Sequence, residues 1–145
     1  MVVTLLGTRV FPRPNIYDVI MDLRAETQPF LTGEAHAGMV IGSRNILARC
    51  WETLREAVLA NPGYSLLVVG YSLGAGLAQL LSLDCLLGGC STSLPPNTNI
   101  KTVAFGSPPV FSSLGGDGEA PPVLDNVFIV QNGEDGIGGY RGFIE

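Results

Sequence analysis

The chain has 145 residues, 46% hydrophobic and 14% charged, with a net charge of −5. That length suits one domain with a buried core, and the low charge with a positive mean hydropathy of +0.34 excludes a disordered chain. The eight Lys and Arg are scattered and form no basic stripe, so nucleic acid is not expected as a partner.

Val2–Leu6 is an apolar, β-branched run ending in Gly7-Thr8, which suits a strand buried on both faces. The opening MVVTLLGTRVF has no basic start and too short an apolar run for a signal peptide. Pro12–Asn15 reads as a loop, and Asn15 can cap a helix on which Ile16, Val19, Ile20 and Leu23 form an apolar stripe. Gly33 to Gly38 reads as a polar, glycine-punctuated connection. A longer helix is expected from Met39 to about Ala60, with Leu47, Cys50, Trp51, Leu54 and Val58 on one face and Arg44, Glu52, Arg55 and Glu56 off it. Asn61-Pro62-Gly63 ends it.

Ser65–Val69 is the next strand, and proline-free Leu73–Leu87 the next helix, with Leu77, Leu80, Leu81 and Asp84 at helical spacing. Gly88–Asn99 is a loop, Ile100–Phe105 a strand, and Gly106–Pro109 a turn. Leu114–Pro122 is a glycine-rich excursion, Val127–Val130 a last strand, and Asn132-Gly133 a turn. Apolar strands alternating with helices predict an α/β fold, a mostly parallel sheet with helices on both faces. No repeat or domain boundary is visible, so residues 1–145 read as one domain. No apolar run of about 18 residues exists to span a membrane.

Cys50, Cys85 and Cys90 form no CxxC pair and read as small apolar residues. One histidine and unpaired cysteines cannot supply a tetrahedral metal set. No metal or cofactor is expected.

The residues that carry chemistry lie in GYSLGAG, positions 70–76. A nucleophile elbow needs a strand, a sharp turn with serine at its apex, and a helix. Glycines two residues away on each side relieve the crowding. Leu66–Val69, Gly70, Ser72, Gly74 and the helix from Leu73 supply these parts in order, and the helix amino terminus favours an anion there. The bland alternative is a glycine-rich phosphate-binding turn. Gly74-Ala75-Gly76 begins like a dinucleotide fingerprint, but Gln79 stands where its last glycine or alanine belongs, and no GK[ST] follows.

Several ordered blocks resemble the class 3 lipases, in particular their diacylglycerol-lipase-like branch. VVTLLGTR is similar to the family's first strand, YDVIMDL to its D-x-x-x-D-L helix with Asp18 and Asp22, and GEAHAGM to its G-x-x-H-x-G block. YSLLVVGYSLGAGLAQLLSL resembles the elbow, with Tyr71 for the commoner histidine. VAFGSPPV and FIVQNGED resemble the two later strands.

The resemblance implies an α/β-hydrolase core, incomplete at its carboxyl end. It implies Ser72 as nucleophile, backbone N–H groups of Leu73 and Thr8 as oxyanion hole, and Asp135 as the acid that orients a base. Asp135 follows a strand and comes after Ser72, as the hydrolase order requires, although an Asp in a turn is commonplace. Glu134 and Asp125 are weaker candidates. The family's D-x-x-P-R is here DGIGGYR.

A triad also needs an imidazole. His36 is the single histidine; it precedes the serine, where the resemblance implies a structural role near the helix start. The chain therefore reads as part of a lipase that lacks its base. A catalytically dead lipid-binding module and a thioesterase or peptidase on the same fold stay open. The implied partner is a lipid ester of the acylglycerol kind, met at a lipid interface.

Overall fold

The computed structural model describes residues 1–7, 26–87, 94–95, 98–113 and 126–131. The helix expected over Ile16–Leu23 and the segments 114–122 and 132–133 lie outside the described residues.

In chain order the elements are β1 (Val2–Leu5), β2 (Thr27–Phe30), β3 (Gly33–His36), α1 (Ala37–Ala60), β4 (Leu66–Tyr71), α2 (Leu73–Leu86), β5 (Ile100–Phe105), β6 (Phe111–Ser113) and β7 (Val127–Val130). Four strands form a parallel sheet in the order β1-β4-β5-β7. These are the apolar, β-branched runs of the sequence, the composition of strands that bury at least one full face. Each neighbouring pair keeps one register: Leu5 lies beside Gly70, Tyr71 beside Phe105, and Phe105 beside Val130.

The polar connection expected over Gly33–Gly38 is instead a strand followed at once by a helix. β2, β3 and β6 form a second, antiparallel sheet. Phe30 and Ala35 point inward from it, and Phe30 meets Phe111 edge to face at 6.1 Å between centroids. The turn joining β2 to β3 is Leu31-Thr32, with positive φ at Leu31. Gly33 is where β6 closes on the hairpin: a Cβ there would lie 2.0 Å from the Ser112 carbonyl oxygen. Packing, rather than strand propensity, makes this hairpin.

α1 starts two residues earlier than its apolar spacing suggests, because His36 caps it. Leu47, Trp51 and Leu54 are buried, with Cys50 and Val58 half-buried beside them. Asn61 ends the helix through its N–H to the Val58 carbonyl, and Pro62 cannot continue it. α2 is buried nearly all round from Gly74 to Asp84, as befits a helix held between a sheet and another helix. It packs on β4 and β5 with one side and on α1 with another.

The main core sets Leu47, Trp51 and Leu54 of α1 and Ala78 and Leu81 of α2 against Leu66, Val68 and Ile100 of the sheet. A second cluster joins Phe30, Ala35 and Phe111 of the small sheet to Met39, Val40, Leu80 and Leu83. Both described helices cover one face of the parallel sheet. On the other face Val2, Tyr71, Phe105, Phe128 and Val130 are exposed. Among the described residues no helix is long and apolar enough to cross a membrane.

Candidate active site

The parallel strands all end on one side of the molecule, the usual place for a site in an α/β sheet. β4 runs out at Tyr71, and α2 begins at Leu73. Ser72 between them has φ 54° and ψ −124°. A non-glycine residue held there carries strain of about 1–3 kcal/mol, comparable to the gain from burying one leucine. Its neighbours hold it: its N–H donates to the Phe105 carbonyl at 2.9 Å, and its own carbonyl accepts from Ala75 N–H at 2.9 Å.

The flanking glycines are required by contact. A Cβ at Gly70 would lie 2.1 Å from the Gly74 carbonyl oxygen, inside the turn itself. A Cβ at Gly74 would lie 2.3 Å from the Leu5 carbonyl oxygen, so the end of β1 rests directly on the elbow. At Gly7 a Cβ would sit 2.8 Å from the Tyr71 carbonyl oxygen and 3.5 Å from Ser72 Cβ. The chain leaving β1 thus passes against the serine turn.

Ser72 is 6% exposed, while Tyr71 beside it is 64% exposed. Leu73 is the first residue of α2, so its N–H lies among those that no helical carbonyl can reach. Two of the residues expected here, Thr8 and Asp135, lie outside the described residues, as do Glu134 and Asp125. The nearest described residues along the chain are Gly7 before Thr8, Asn126 after Asp125, and Gln131 four residues before Asp135.

His36 is at the helix start, as expected: its Nδ1 accepts the Met39 N–H at 3.3 Å. Among the described residues no group of three or more His, Cys, Asp or Glu could hold a metal. Cys50 and Cys85 are both half-buried, and burial pushes the Cys50 thiol up. A cleft of about 300 Å³ lined by Val58, Pro62, Tyr64, Pro95 and Asn99 lies by the amino-terminal ends of β4 and β5, the far end of the sheet from Ser72.

Sequence reasoning missed a buried polar group beside the elbow. Gln79 of α2 donates through Nε2 to the Ser107 hydroxyl and to the Ala75 carbonyl. The Ser107 hydroxyl donates to the Pro108 carbonyl at 2.9 Å, and Gln131 Nε2 approaches the Ser107 carbonyl at 3.5 Å. The available signal was one amide inside the apolar run GLAQLLSL.

The chain matches the family described as lipase (class 3) over residues 2–135. A comparison with curated proteins gives no match. Among solved structures it is similar to a lipase from Rhizopus microsporus var. chinensis, at 22% identity and TM-score 0.58, covering 77% of this chain and 38% of that one. A mutant of MDLA from Penicillium cyclopium matches at 25% identity and TM-score 0.63, over 88% of this chain and 44% of that one. The Lip2 lipase from Yarrowia lipolytica matches at 22% identity and TM-score 0.56, over 74% and 37%. The chain therefore spans less than half the length of these structures, and its core is that of an α/β-hydrolase. The match over residues 2–135 takes in both the strand and the helix that meet at the serine turn, and the chain belongs to the class 3 lipase family.

Proposed function

We propose that this sequence carries the nucleophile half of a serine hydrolase acting on lipid acyl esters, with the acyl-enzyme formed on Ser72. One observation carries the reading: Ser72 sits at positive φ between the end of β4 and the start of α2. Ser72 Oγ attacks the ester carbonyl carbon and gives up its proton to a base. The oxyanion is held by the N–H groups of Leu73 and Thr8, and each such donor supplies about 10²–10³ in rate. The C=O bond then re-forms as the ester bond from that carbon to the alkoxy oxygen breaks, and the base returns the proton to the departing oxygen. Water repeats the sequence to free the fatty acid. Asp135 orients the base.

The single histidine of this chain is committed to capping α1. In another serine hydrolase, loss of the triad histidine lowers kcat by about 10⁶, or about 8 kcal/mol of barrier. The 145-residue chain by itself is accordingly expected to turn over esters at the background level that an oxyanion hole alone provides.

A serine-reactive fluorophosphonate probe, applied to the protein at its natural length, tests the assignment. Labelling lost on Ser72→Ala supports it, and labelling that persists overturns it. The engagement of His36 favours one second reading, a lipid-binding module without turnover. Ester hydrolysis by the 145-residue chain that vanishes in Ser72→Ala would exclude that second reading. Comparing diacylglycerol, acyl-CoA and peptide substrates separates a lipase from a thioesterase or peptidase.

A further inference from the structure

A series of hydrogen bonds steps across the carboxyl ends of the parallel strands. Ser72 N–H donates to Phe105 O, and Gly106 N–H donates to Val130 O, both at 2.9 Å. Serine turn, β5 exit and β7 exit are thereby tied in sequence. Gly106 has φ 54°, and the chain turns there into Ser107–Val110. This segment lies on the first turns of α2: a Cβ at Gly76 would meet Val110 Cγ1 at 2.7 Å and Met39 Sδ at 2.9 Å.

Gln79 fixes the same segment with polar contacts. It lies seven residues after Ser72, two turns along and on the same side of α2. It is 4% exposed, and Ser107 is 2% exposed. Because the Ser107 hydroxyl spends its proton on the Pro108 carbonyl, only its lone pairs remain for Gln79. The amide nitrogen must face it. A leucine would suit the apolar surroundings at lower desolvation cost. The amide therefore calls for a reason beyond filling space, and what it grips is the β5 exit. That exit holds Val130 through Gly106 and approaches Gln131 through the Ser107 carbonyl at 3.5 Å. The latter contact is long, so the main link to β7 runs through Gly106.

We propose that Gln79 is a positioning residue of the serine site. It locks the β5 exit to α2, and with it the end of β7 from which the segment bearing Asp135 departs. The serine turn and the β7 exit are then referred to one helix. The proposal rests on the reading of Ser72 and Asp135 given above.

The test separates position from mere satisfaction of a buried amide. Gln79→Leu leaves the buried lone pairs of the Ser107 hydroxyl without their donor, and adding Ser107→Ala removes that unsatisfied group. If Gln79 only satisfies its neighbour, the double variant regains both its urea midpoint and its fluorophosphonate labelling rate, and the proposal is overturned. If Gln79 positions, the midpoint returns while labelling stays at least tenfold slow. Hydrogen exchange on the 145-residue chain gives a second measure. Amides 126–131 should exchange at least tenfold faster in the double variant at an unchanged midpoint, and unaltered exchange there overturns the proposal by itself. A wild-type protein that does not label, or labelling that survives Ser72→Ala, defeats the serine reading instead, and exchange still decides the coupling.

Discussion

Asp84 of α2 is 1% exposed, and its carboxylate accepts the Arg44 guanidinium of α1 at 3.0 Å. The arginine lies in turn over the Phe30 ring, 5.5 Å from its centroid. One side chain therefore joins both helices to the small sheet. Arg44→Ala leaves a buried carboxylate short of its cation. A loss of about 1–3 kcal/mol is expected, below the value for a fully buried pair because nearly half of the Arg44 side chain is in water. Urea unfolding measures it, and Arg44→Ala with Asp84→Ala should lose less than the two single losses added. Simple additivity would mean that the pair does not interact.

Two glycines separate contact from conformation. Gly63 has φ +85° and open space around its missing Cβ, so Gly63→Ala should lose only the left-handed penalty, about 1–2 kcal/mol. At Gly74 an added Cβ would lie 2.3 Å from the Leu5 carbonyl oxygen. There a methyl must push β1 off the elbow, and about 3 kcal/mol or more is expected. Equal midpoints for the two variants would contradict the close approach of β1.

Ser72→Gly should raise stability. Relief of about 1–3 kcal/mol of strain outweighs the added freedom of the unfolded chain, about 0.4–1 kcal/mol. A net gain of about 1 kcal/mol over Ser72→Ala is expected in denaturant titration. A glycine variant no more stable than the alanine one would mean that the turn is relaxed.

His36→Ala removes the acceptor for Met39 N–H and should lower stability by about 1 kcal/mol, with His36→Asn restoring most of it. Fluorophosphonate labelling of Ser72 should change little in either variant. A thousandfold drop would make His36 the base and refute its structural assignment.

Burial raises the Cys50 thiol above its ordinary value of 9.0. The folded protein thus holds that proton more tightly than the unfolded chain. The associated stability is complete below pH 9 and is lost as pH rises through the folded value. Iodoacetamide should alkylate Cys50 more slowly at pH 8 than an unstructured peptide thiol, and equal rates would place the sulfur in open solvent.

The elbow was legible because chain geometry demands its residues: nothing larger than glycine fits at 70 or 74. The parallel strands were legible because Leu66–Val69 and Ile100–Phe105 are apolar runs bounded by turns. The β2–β3 hairpin was not. Its strands are four residues long, one contains Pro29, and the turn uses Leu31-Thr32 with no Asn-Gly or Asp-Gly signal. From spacing Asp84 is only one position of a helical stripe, and the cation that its buried carboxylate needs comes from Arg44, forty residues away. Gln79 and Ser107 were invisible for the same reason: a polar pair shows itself only once both partners are placed. Thr8 rests on family resemblance, and Asp135 on that resemblance with its place after a strand and after Ser72.

The serine turn also fixes an order of assembly. The Leu5 carbonyl from the start of the chain rests against its glycine, and its amide donates to the Phe105 carbonyl from well beyond it. A nascent chain emerging from a ribosome can pair β1 with β4 early, but the bend at Ser72 stays incomplete until β5 has been synthesised and slotted alongside. Such distant partners make for slow closure. The Ser72 hydroxyl should be among the last groups to reach its final place, well after helix α1 has formed.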